Sequence, residues 1–403
     1  MQLWKKVLIG LALGVFLGLV LKENVMYLKP FGDLFIRLIK MIIVPLIFLA
    51  IVSGVTNSKN SKAIGRVGVK SSLAYLATTI FAVVIGLSIG TIFKPGAGIT
   101  LDFNSDLSKI PENASITKIM NVIIEVVPDN AIGAMAQGAV LQVVFFALFT
   151  GITINSLDET NSNRIKDLIQ SLLNLILKMI HYIIQLSPMA ACALIAWVVG
   201  TQGMEVLYNL LKLISCAYLG FGIQYLIFGL MIYACTRLSP MPFFKKSIEY
   251  QALAFSTSSS KAALPTTMKV CQEKLGLSKF SSSFVLPLGA SINMDGIAIY
   301  ISICALFFAQ ATGKILGVAD YSIIILTGTL GSIGGAGIPG GTIVMLPMVL
   351  SSIGLPIEGI ALIAGIDRII DMMRTTISIT GDAMVTLCID HSEGTMDTKK
   401  YNS

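Results

Sequence analysis

Ionisable side chains recur at helical spacing within one apolar stretch near the end of the chain. The stretch reads GIDRIIDMMRTTISITGDAMVTLCI and carries Asp367, Asp371, Arg374, Ser378 and Asp382. At about 100° per residue, these five positions fall within roughly 80° of one another around a helix. A charge at the centre of a bilayer costs at least about 2.5 kcal/mol, so we expect this face to line a cavity or to contact partner groups.

The predicted polar face has an excess of negative charge. Asp367, Asp371 and Asp382, together with Asp295 in the preceding apolar segment, stand against one nearby cation, Arg374. If all four carboxyl groups ionise, three negative charges lack a partner, so protons or bound cations must neutralise them. A purely structural network of ion pairs is the alternative that this excess disfavours. The pattern therefore predicts a cargo coupled to Na⁺ or H⁺.

Two of the charged side chains suit an organic ion. Arg374 has a planar guanidinium that matches a carboxylate, and Asp371 on the neighbouring turn suits an ammonium group. Serines 258–260 and the glycine-rich segment 334–341 would present hydroxyl and backbone N–H groups to a second carboxylate at half-helix N-termini. Together these groups describe a zwitterion that carries an extra acid.

A neighbouring motif, PLGASINMDG, offers oxygen ligands for a cation. Gly289, Asn293 and Asp295 lie in it, and hard cations prefer oxygen. Gly289 and Gly296 also allow a helix to unwind there and to free backbone carbonyls.

The composition decides what kind of protein must position these groups. The chain has 403 residues, of which 55% are hydrophobic and 13% are charged, whereas soluble proteins carry about 25% charged residues. A soluble globular protein is therefore excluded. The net charge of +7 resides in short basic blocks between apolar runs rather than among aromatic side chains, which indicates membrane topology and not nucleic-acid binding.

Apolar runs of bilayer length predict an all-α polytopic membrane protein with eight crossings and two interrupted segments. The predicted crossings are 7–22, 34–55, 72–93, 132–155, 166–198, 206–235, 281–311 and 357–389, and the interrupted segments are 241–275 and 320–354.

The distribution of charge between these segments predicts their orientation. The loop from Lys59 to Lys70 is basic and is expected in the cytoplasm, whereas 101–130 is rich in acids and is expected outside. The protein is expected in the inner membrane with both termini in the cytoplasm. This orientation requires each interrupted segment to enter and leave the membrane on the same side. The interrupted segments are therefore predicted to be re-entrant hairpins that open two inverted repeats, 241–311 and 320–390.

The motifs SSSKAALPTT, NMDG, GSIGGAGIPGG and DRIIDMMRTT followed by TGD stand in the same order and spacing as in a known family. The chain resembles the dicarboxylate/amino acid:cation symporters, which include bacterial glutamate/aspartate carriers and the excitatory amino acid transporters. The resemblance implies a homotrimer in membrane lipid, with an elevator-type transport part that moves against a scaffold. The scaffold and trimerisation part would cover about 1–70 and 125–235, and the transport part about 71–94 and 241–390.

The same resemblance implies roles for individual residues. Arg374 would bind the side-chain carboxylate of the cargo, Asp371 and Thr375 its amino group, and Ser260, Gly337 and Ile338 its main carboxylate. The sodium ligands would fall into three sets: Gly289, Asn293 and Asp382, with Ser378 beside them; Ser291, Ser332, Ile333 and Gly335; and Tyr75, Thr78, Thr79, Asn293 and Asp295.

Two positions depart from the family pattern, and both belong to the expected cargo pocket. Ser378 stands where the family usually has Asn, and Ile297 stands where a hydroxyl usually helps to position the side-chain carboxylate. Arg374 still favours an anionic cargo. Asp371 favours an amino acid, because family branches that carry plain C4-dicarboxylates tend to lack this acid.

The sequence therefore predicts a Na⁺-coupled symporter for glutamate or aspartate, with an H⁺-coupled C4-dicarboxylate carrier as the alternative. An ion channel with a charged pore is a further alternative. The S-x-x-K string of Ser258 and Lys261 also occurs in acyl-transfer enzymes, but no KTG triplet accompanies it, so no enzyme is expected.

Overall fold

The computed structural model describes residues 3–56, 62–99, 127–203, 205–334, 340–357, 360–364 and 366–403. Within these ranges the regular structure is entirely helical. The helices are α1 (Leu3–Leu21), α2 (Lys29–Thr56), α3 (Lys62–Phe93), α4 (Ala131–Gln137), α5 (Val140–Ser156), α6 (Glu159–Ile184), α7 (Ser187–Gln202), α8 (Glu205–Thr236), α9 (Met241–Thr257), α10 (Ser260–Glu273), α11 (Lys279–Ile292), α12 (Asp295–Ala311), α13 (Val318–Gly334), α14 (Gly341–Ser352), α15 (Ile360–Ala364), α16 (Asp367–Ser392) and α17 (Thr398–Asn402). A 3₁₀ helix, Lys22–Tyr27, joins α1 to α2.

Three helical stretches of the described chain are long and apolar enough to cross a membrane. They are Arg66–Phe93, Leu207–Thr236 and Lys279–Ala311, with 28, 30 and 33 residues. The last stretch combines α11 and α12 and is almost wholly enclosed by protein. These stretches agree with a multi-pass membrane protein, and the count of eight crossings stays a prediction.

Several segments predicted as single crossings consist of two helices. Residues 166–198 divide into α6 and α7, because the chain turns at Gln185 and Leu186 and Pro188 occupies the first turn of α7, where a missing N–H does no harm. Residues 132–155 divide at Gly138, whose φ of 70° ends α4. Residues 357–389 divide between α15 and α16. Apolar length alone did not reveal these interruptions.

The helices pack as two groups. In the first group, α1 lies against α7, and α2 lies against α5 and α6. In the second, α16 is surrounded by α8, α9, α11 and α12, while α12 also packs along α3. The family resemblance implies a scaffold part that includes 206–235, yet α8 packs far more extensively against α16, α12 and α3 than against α7.

The two interrupted segments each form a pair of packed helices. In the first hairpin, α9 lies against α10, and Ser258 turns the chain with a φ of 53°. Ser259 then caps α10 by accepting a hydrogen bond from the N–H of Ala262. In the second hairpin, α13 lies against α14. Its tip, residues 335–339, lies outside the described residues.

Candidate substrate and cation site

The polar face of α16 is enclosed by protein. Asp371, Arg374 and Asp382 expose 2% of their surface or less, and Asp367 exposes 4%. The surrounding helices α8, α9, α11 and α12 shield the face from the exterior of the bundle. Buried charges of this kind need partners or ligands.

Asp371 is held between two arginines. Arg374 binds Oδ1 of Asp371 through Nη2, and Nη1 of Arg368 lies 3.5 Å from Oδ2. The backbone N–H of Gly340, at the start of α14, donates to Oδ2 at 3.1 Å. The second hairpin is thereby joined to the polar face.

Arg368 corrects the charge balance inferred from the sequence. By sequence, the carboxylates were expected to face Arg374 alone, although Arg368 and Asp371 are three residues apart and are therefore neighbours on a helix. With Arg368 included, Asp367, Asp371 and the two arginines balance. The negative excess therefore narrows to Asp295 and Asp382.

Arg374 keeps donors for a ligand. Its Nε and Nη1 are buried and have no hydrogen-bond partner within the described residues. Buried guanidinium donors without partners are costly, and Nε and Nη1, which point to different sides of the guanidinium, can each donate to an oxygen of an anion. Arg374 is therefore suited to an anionic cargo, as the sequence analysis expects.

The hydroxyl groups near Arg374 bind the backbone. Thr375 donates to the carbonyl of Asp371 at 2.8 Å, and Ser378 donates to the carbonyl of Arg374 at 3.2 Å. Ser378 also accepts from the N–H of Gly296 at 3.3 Å, which ties α16 to the start of α12. The next residue, Ile297, is buried and brings a methyl-rich side chain where the family pattern has a hydroxyl.

The tip of the first hairpin presents a free hydroxyl. Ser260 is buried, and its Oγ has no hydrogen-bond partner among the residues that the structure describes. Ser260 opens α10, where unpaired N–H groups favour an anion. This arrangement fits the carboxylate contact expected of Ser260.

The second hairpin tip can be described only in part. Gly335, Gly337 and Ile338 lie outside the described residues, and Ile333 is described as part of the backbone of α13. Ser332 is buried and donates to the carbonyl of Thr329 at 2.8 Å.

The break between α11 and α12 lies against α16. Asn293 is extended there and donates its side-chain amide to Oδ1 of Asp382 at 2.9 Å. A Cβ added to Gly289 would lie 2.6 Å from the same Asp382 oxygen, so only glycine fits. The other carboxylate oxygen of Asp382, Oδ2, is buried without a partner in the described ranges. Ser291 turns its hydroxyl to the carbonyl of Pro287 at 2.9 Å.

A second set of oxygens joins α3 to the start of α12. Thr78 and Thr79 lie 3.2 and 3.4 Å from Oδ1 of Asn293, and Thr79 lies 3.2 Å from Oδ1 of Asp295. Tyr75 donates its hydroxyl to the carbonyl of Val285 at 3.0 Å. The structure therefore brings Thr78, Thr79 and Asp295 of the third sodium set together with Asn293, whereas the hydroxyl of Tyr75 binds a carbonyl of α11.

Gln224 belongs to the same cluster and was not anticipated from the sequence. Its Nε2 lies 3.4 Å from Oδ2 of Asp295, and its Oε1 is buried without a hydrogen-bond partner in the described part of the chain. A glutamine inside the apolar stretch of α8 is the signal that could have indicated this contact.

Asp295 and Asp382 are buried beside Asn293, and neither forms an ion pair with a described lysine or arginine. Asp367 and Asp390 are buried without an ion pair as well, but Asp367 lies beside Arg368 on α16, and Asp390 accepts from the hydroxyls of Ser278 and Thr395. The side chains around Asp295 and Asp382 are amides, Asn293 and Gln224, which donate to the carboxylates, and hydroxyls, Thr78 and Thr79. The oxygens of these groups, together with the carboxylates, are ligands that hard cations take. The geometry can therefore hold small cations beside an anion bound at Arg374. A helical membrane protein with such a buried site has the features of a secondary transporter.

The sequence matches the Sodium:dicarboxylate symporter family over residues 3–392, so the chain belongs to this family. The proton/glutamate-aspartate symporter of Escherichia coli (strain K12) is 33% identical over 98% of this chain and 94% of its own length. The proton/sodium-glutamate symport protein of Bacillus subtilis (strain 168) is 32% identical over 98% of this chain and 94% of its own length. A C4-dicarboxylate transport protein of Pseudomonas syringae pv. tomato is 33% identical over 100% of this chain and 88% of its own length.

These relatives define the protein as a transporter and not an enzyme. At the level of the family, it is a symporter of dicarboxylates or acidic amino acids in a membrane. The predicted family resemblance is confirmed.

Proposed function

We propose that the chain is a secondary active symporter that imports glutamate or aspartate together with Na⁺. The observation that carries this proposal is the buried pair of Asp371 and Arg374, in which Arg374 retains unpaired Nε and Nη1 donors. Such a pair offers a cationic group to a carboxylate and an anionic group to an ammonium.

The cation would bind at Asp382 and Asp295, the two buried carboxylates beside Asn293. Each carboxylate has neutral polar neighbours. The amide of Asn293 and the backbone of Gly289 lie beside Asp382, and the hydroxyl of Thr79 and the amide of Gln224 lie beside Asp295. Binding of Na⁺ there would remove the repulsion that an anionic cargo meets, and this is the basis of coupling. H⁺ could neutralise the same carboxylates, and the names of two relatives include a proton.

The cargo would lie between the hairpin tips and α16. Arg374 would bind its side-chain carboxylate, Asp371 and Thr375 its amino group, and Ser260 with the tip at Gly337 and Ile338 its main carboxylate. The bond from the N–H of Gly340 to Asp371 supports a position for the start of α14 beside this pocket.

The transport part would move as a unit against the scaffold in a homotrimer within the inner membrane, with both termini in the cytoplasm. Packing supports a moving part made of α3, α8 to α14 and α16, since α8 lies mainly against α16, α12 and α3. This assignment places α8 outside the scaffold range suggested by the resemblance.

Uptake of labelled aspartate into proteoliposomes tests the proposal. An inward Na⁺ gradient should drive accumulation, and a K⁺ gradient of equal size should not. Accumulation that follows a pH gradient and ignores Na⁺ would replace Na⁺ by H⁺ as the coupling ion. The absence of any aspartate uptake would overturn the proposed cargo.

A further inference from the structure

Arg368 competes with the cargo for Asp371. Its Nη1 lies 3.5 Å from Oδ2 of Asp371, on the opposite carboxylate oxygen from the one that Arg374 binds. With the N–H of Gly340 at 3.1 Å, both oxygens of Asp371 already accept from protein donors. A carboxylate has about four acceptor positions, so an incoming ammonium group must share them.

The position of Arg368 makes this contact different from a surface ion pair. The side chain of Arg368 is 14% exposed and that of Asp371 is 1% exposed, so little water screens the pair. The Nε of Arg368 is itself buried without a hydrogen-bond partner in the described part of the protein. Among the described residues, Asp371 is the one carboxylate that forms an ion pair with Arg368, and the charge of the adjacent Asp367 also acts on this guanidinium.

The consequence depends on what the cargo carries. A dicarboxylate that lacks an amino group would leave a buried Asp371 short of partners if Arg374 turned toward the cargo, and an unpaired buried carboxylate is strongly destabilising. With Arg368 present, Asp371 keeps a cationic partner. An amino acid gains less from Asp371 than it would without Arg368, since the guanidinium repels its ammonium group.

We infer that Arg368 is a specificity-determining residue that lets the pocket accept C4-dicarboxylates with or without an amino group. This inference rests on the proposed function and narrows its cargo class. Arg368 acts through Asp371, so it is a positioning residue for the cargo site.

The test compares aspartate and succinate on single variants in proteoliposomes. For the wild-type protein, succinate should inhibit uptake of labelled aspartate with an inhibition constant within about tenfold of the half-saturation constant for aspartate. Arg368→Met should raise the succinate constant by roughly tenfold or more, the effect of losing one charge-assisted contact. The half-saturation constant for aspartate should change less than threefold, because its ammonium group can replace Arg368 as a cationic partner of Asp371.

Control variants separate this role from a structural one. Arg368→Lys keeps the charge and should keep the wild-type ratio of the two constants. Arg237→Met removes an arginine that lies over the Tyr233 ring just after α8, and it should leave the ratio unchanged. If Arg368→Met fails to assemble, Arg368→Gln removes the same charge and gives the same measurement.

The outcomes distinguish this inference from the proposed function. Aspartate uptake that succinate does not inhibit in the wild type, or equal changes of both constants in Arg368→Met, would overturn the role of Arg368 and leave the proposed symporter intact. A wild-type protein that transports neither compound would instead overturn the proposed function.

Discussion

Asn293 donates its side-chain amide to Oδ1 of Asp382 over 2.9 Å, and this bond joins the break between α11 and α12 to the polar face of α16. On its other side, Oδ1 of Asn293 accepts from Thr78 at 3.2 Å. One amide thus connects the polar groups around Asp382 with those around Asp295. The two candidate cation positions are therefore structurally linked.

Asn293→Asp should destabilise the protein in Na⁺-free buffer and enlarge its stabilisation by Na⁺. The change removes a buried donor, at a cost of about 1–3 kcal/mol, and adds a third carboxylate to the group. Bound cations would relieve the repulsion, so the Na⁺-induced rise in Tm should exceed that of the wild type. Thermal unfolding of the purified protein with and without NaCl measures both effects.

A matched control is available in α5. Asn155 also donates its side-chain amide to an oxygen, in this case the backbone carbonyl of Val55 at 3.0 Å, so Asn155→Asp removes a partly buried amide donor away from the buried carboxylates. It should lower Tm equally with and without Na⁺. The same Na⁺-induced shift in both variants would contradict a cation site at Asn293.

Gly289→Ala should abolish Na⁺-dependent uptake. Its Cβ would lie 2.6 Å from Oδ1 of Asp382 and 2.5 Å from the hydroxyl of Tyr75, closer than real Cβ contacts. Either the carboxylate or the break must then shift, and misplaced ligands weaken a cation site. Gly222→Ala is the control, because a Cβ there meets nothing within 4 Å and uptake should persist. Equal uptake by both variants would show that Gly289 does not border the cation.

Much of the site could be predicted because its pattern is local. The polar residues of α16 recur at helical spacing, so a single helix was enough to place Asp371, Arg374 and Asp382 on one buried face. Arg368 belongs to the DRIIDMMRTT motif but lies about 100° around the helix from Asp367, outside the arc of the other polar residues, so helical spacing did not place it on the same face. Its partner Asp371 is three residues away, so the sequence alone was sufficient to predict this ion pair.

Other features depended on contacts between distant segments. Gln224 reaches Asp295 across 71 positions of sequence, and periodicity says nothing about which helices become neighbours. For the same reason the packing of α8 against α16 did not follow from the apolar run at 206–235. The division of 166–198 into two helices depended on one proline, Pro188, inside a run of adequate length.

Ile297→Thr should increase the affinity for acidic amino acids. Ile297 is buried at the start of α12, next to Gly296, whose N–H contacts Ser378 on the polar face. A hydroxyl there could donate to the cargo carboxylate bound by Arg374, a gain of about 1.5 kcal/mol or roughly tenfold in the half-saturation constant. Ile297→Val has nearly the same shape as threonine without the hydroxyl, and it should keep the wild-type constant. Uptake constants that move together in both variants would indicate a packing effect.

Glu393→Gln should remove part of the pH dependence of stability. Glu393, just beyond α16, accepts from Lys70 at 2.5 Å and also pairs with Arg66, which joins the end of α16 to the start of α3. The hydrogen bond from Lys70, with the charge of Arg66, lowers the pKa of Glu393. The folded state therefore favours the ionised carboxylate.

The sign of the effect follows from that lowered pKa. The stabilisation is present above the ordinary glutamate pKa, about 4.3, and is lost as the pH falls through the lower value in the folded protein. The Tm of the wild type should exceed that of Glu393→Gln at pH 7, and the two should converge in acid. Lys70→Met combined with Glu393→Gln closes a double-mutant cycle, in which the coupling at pH 7 should disappear at low pH. A Tm difference that stays constant across this range would mean that the contact between α3 and α16 does not depend on the charge of Glu393.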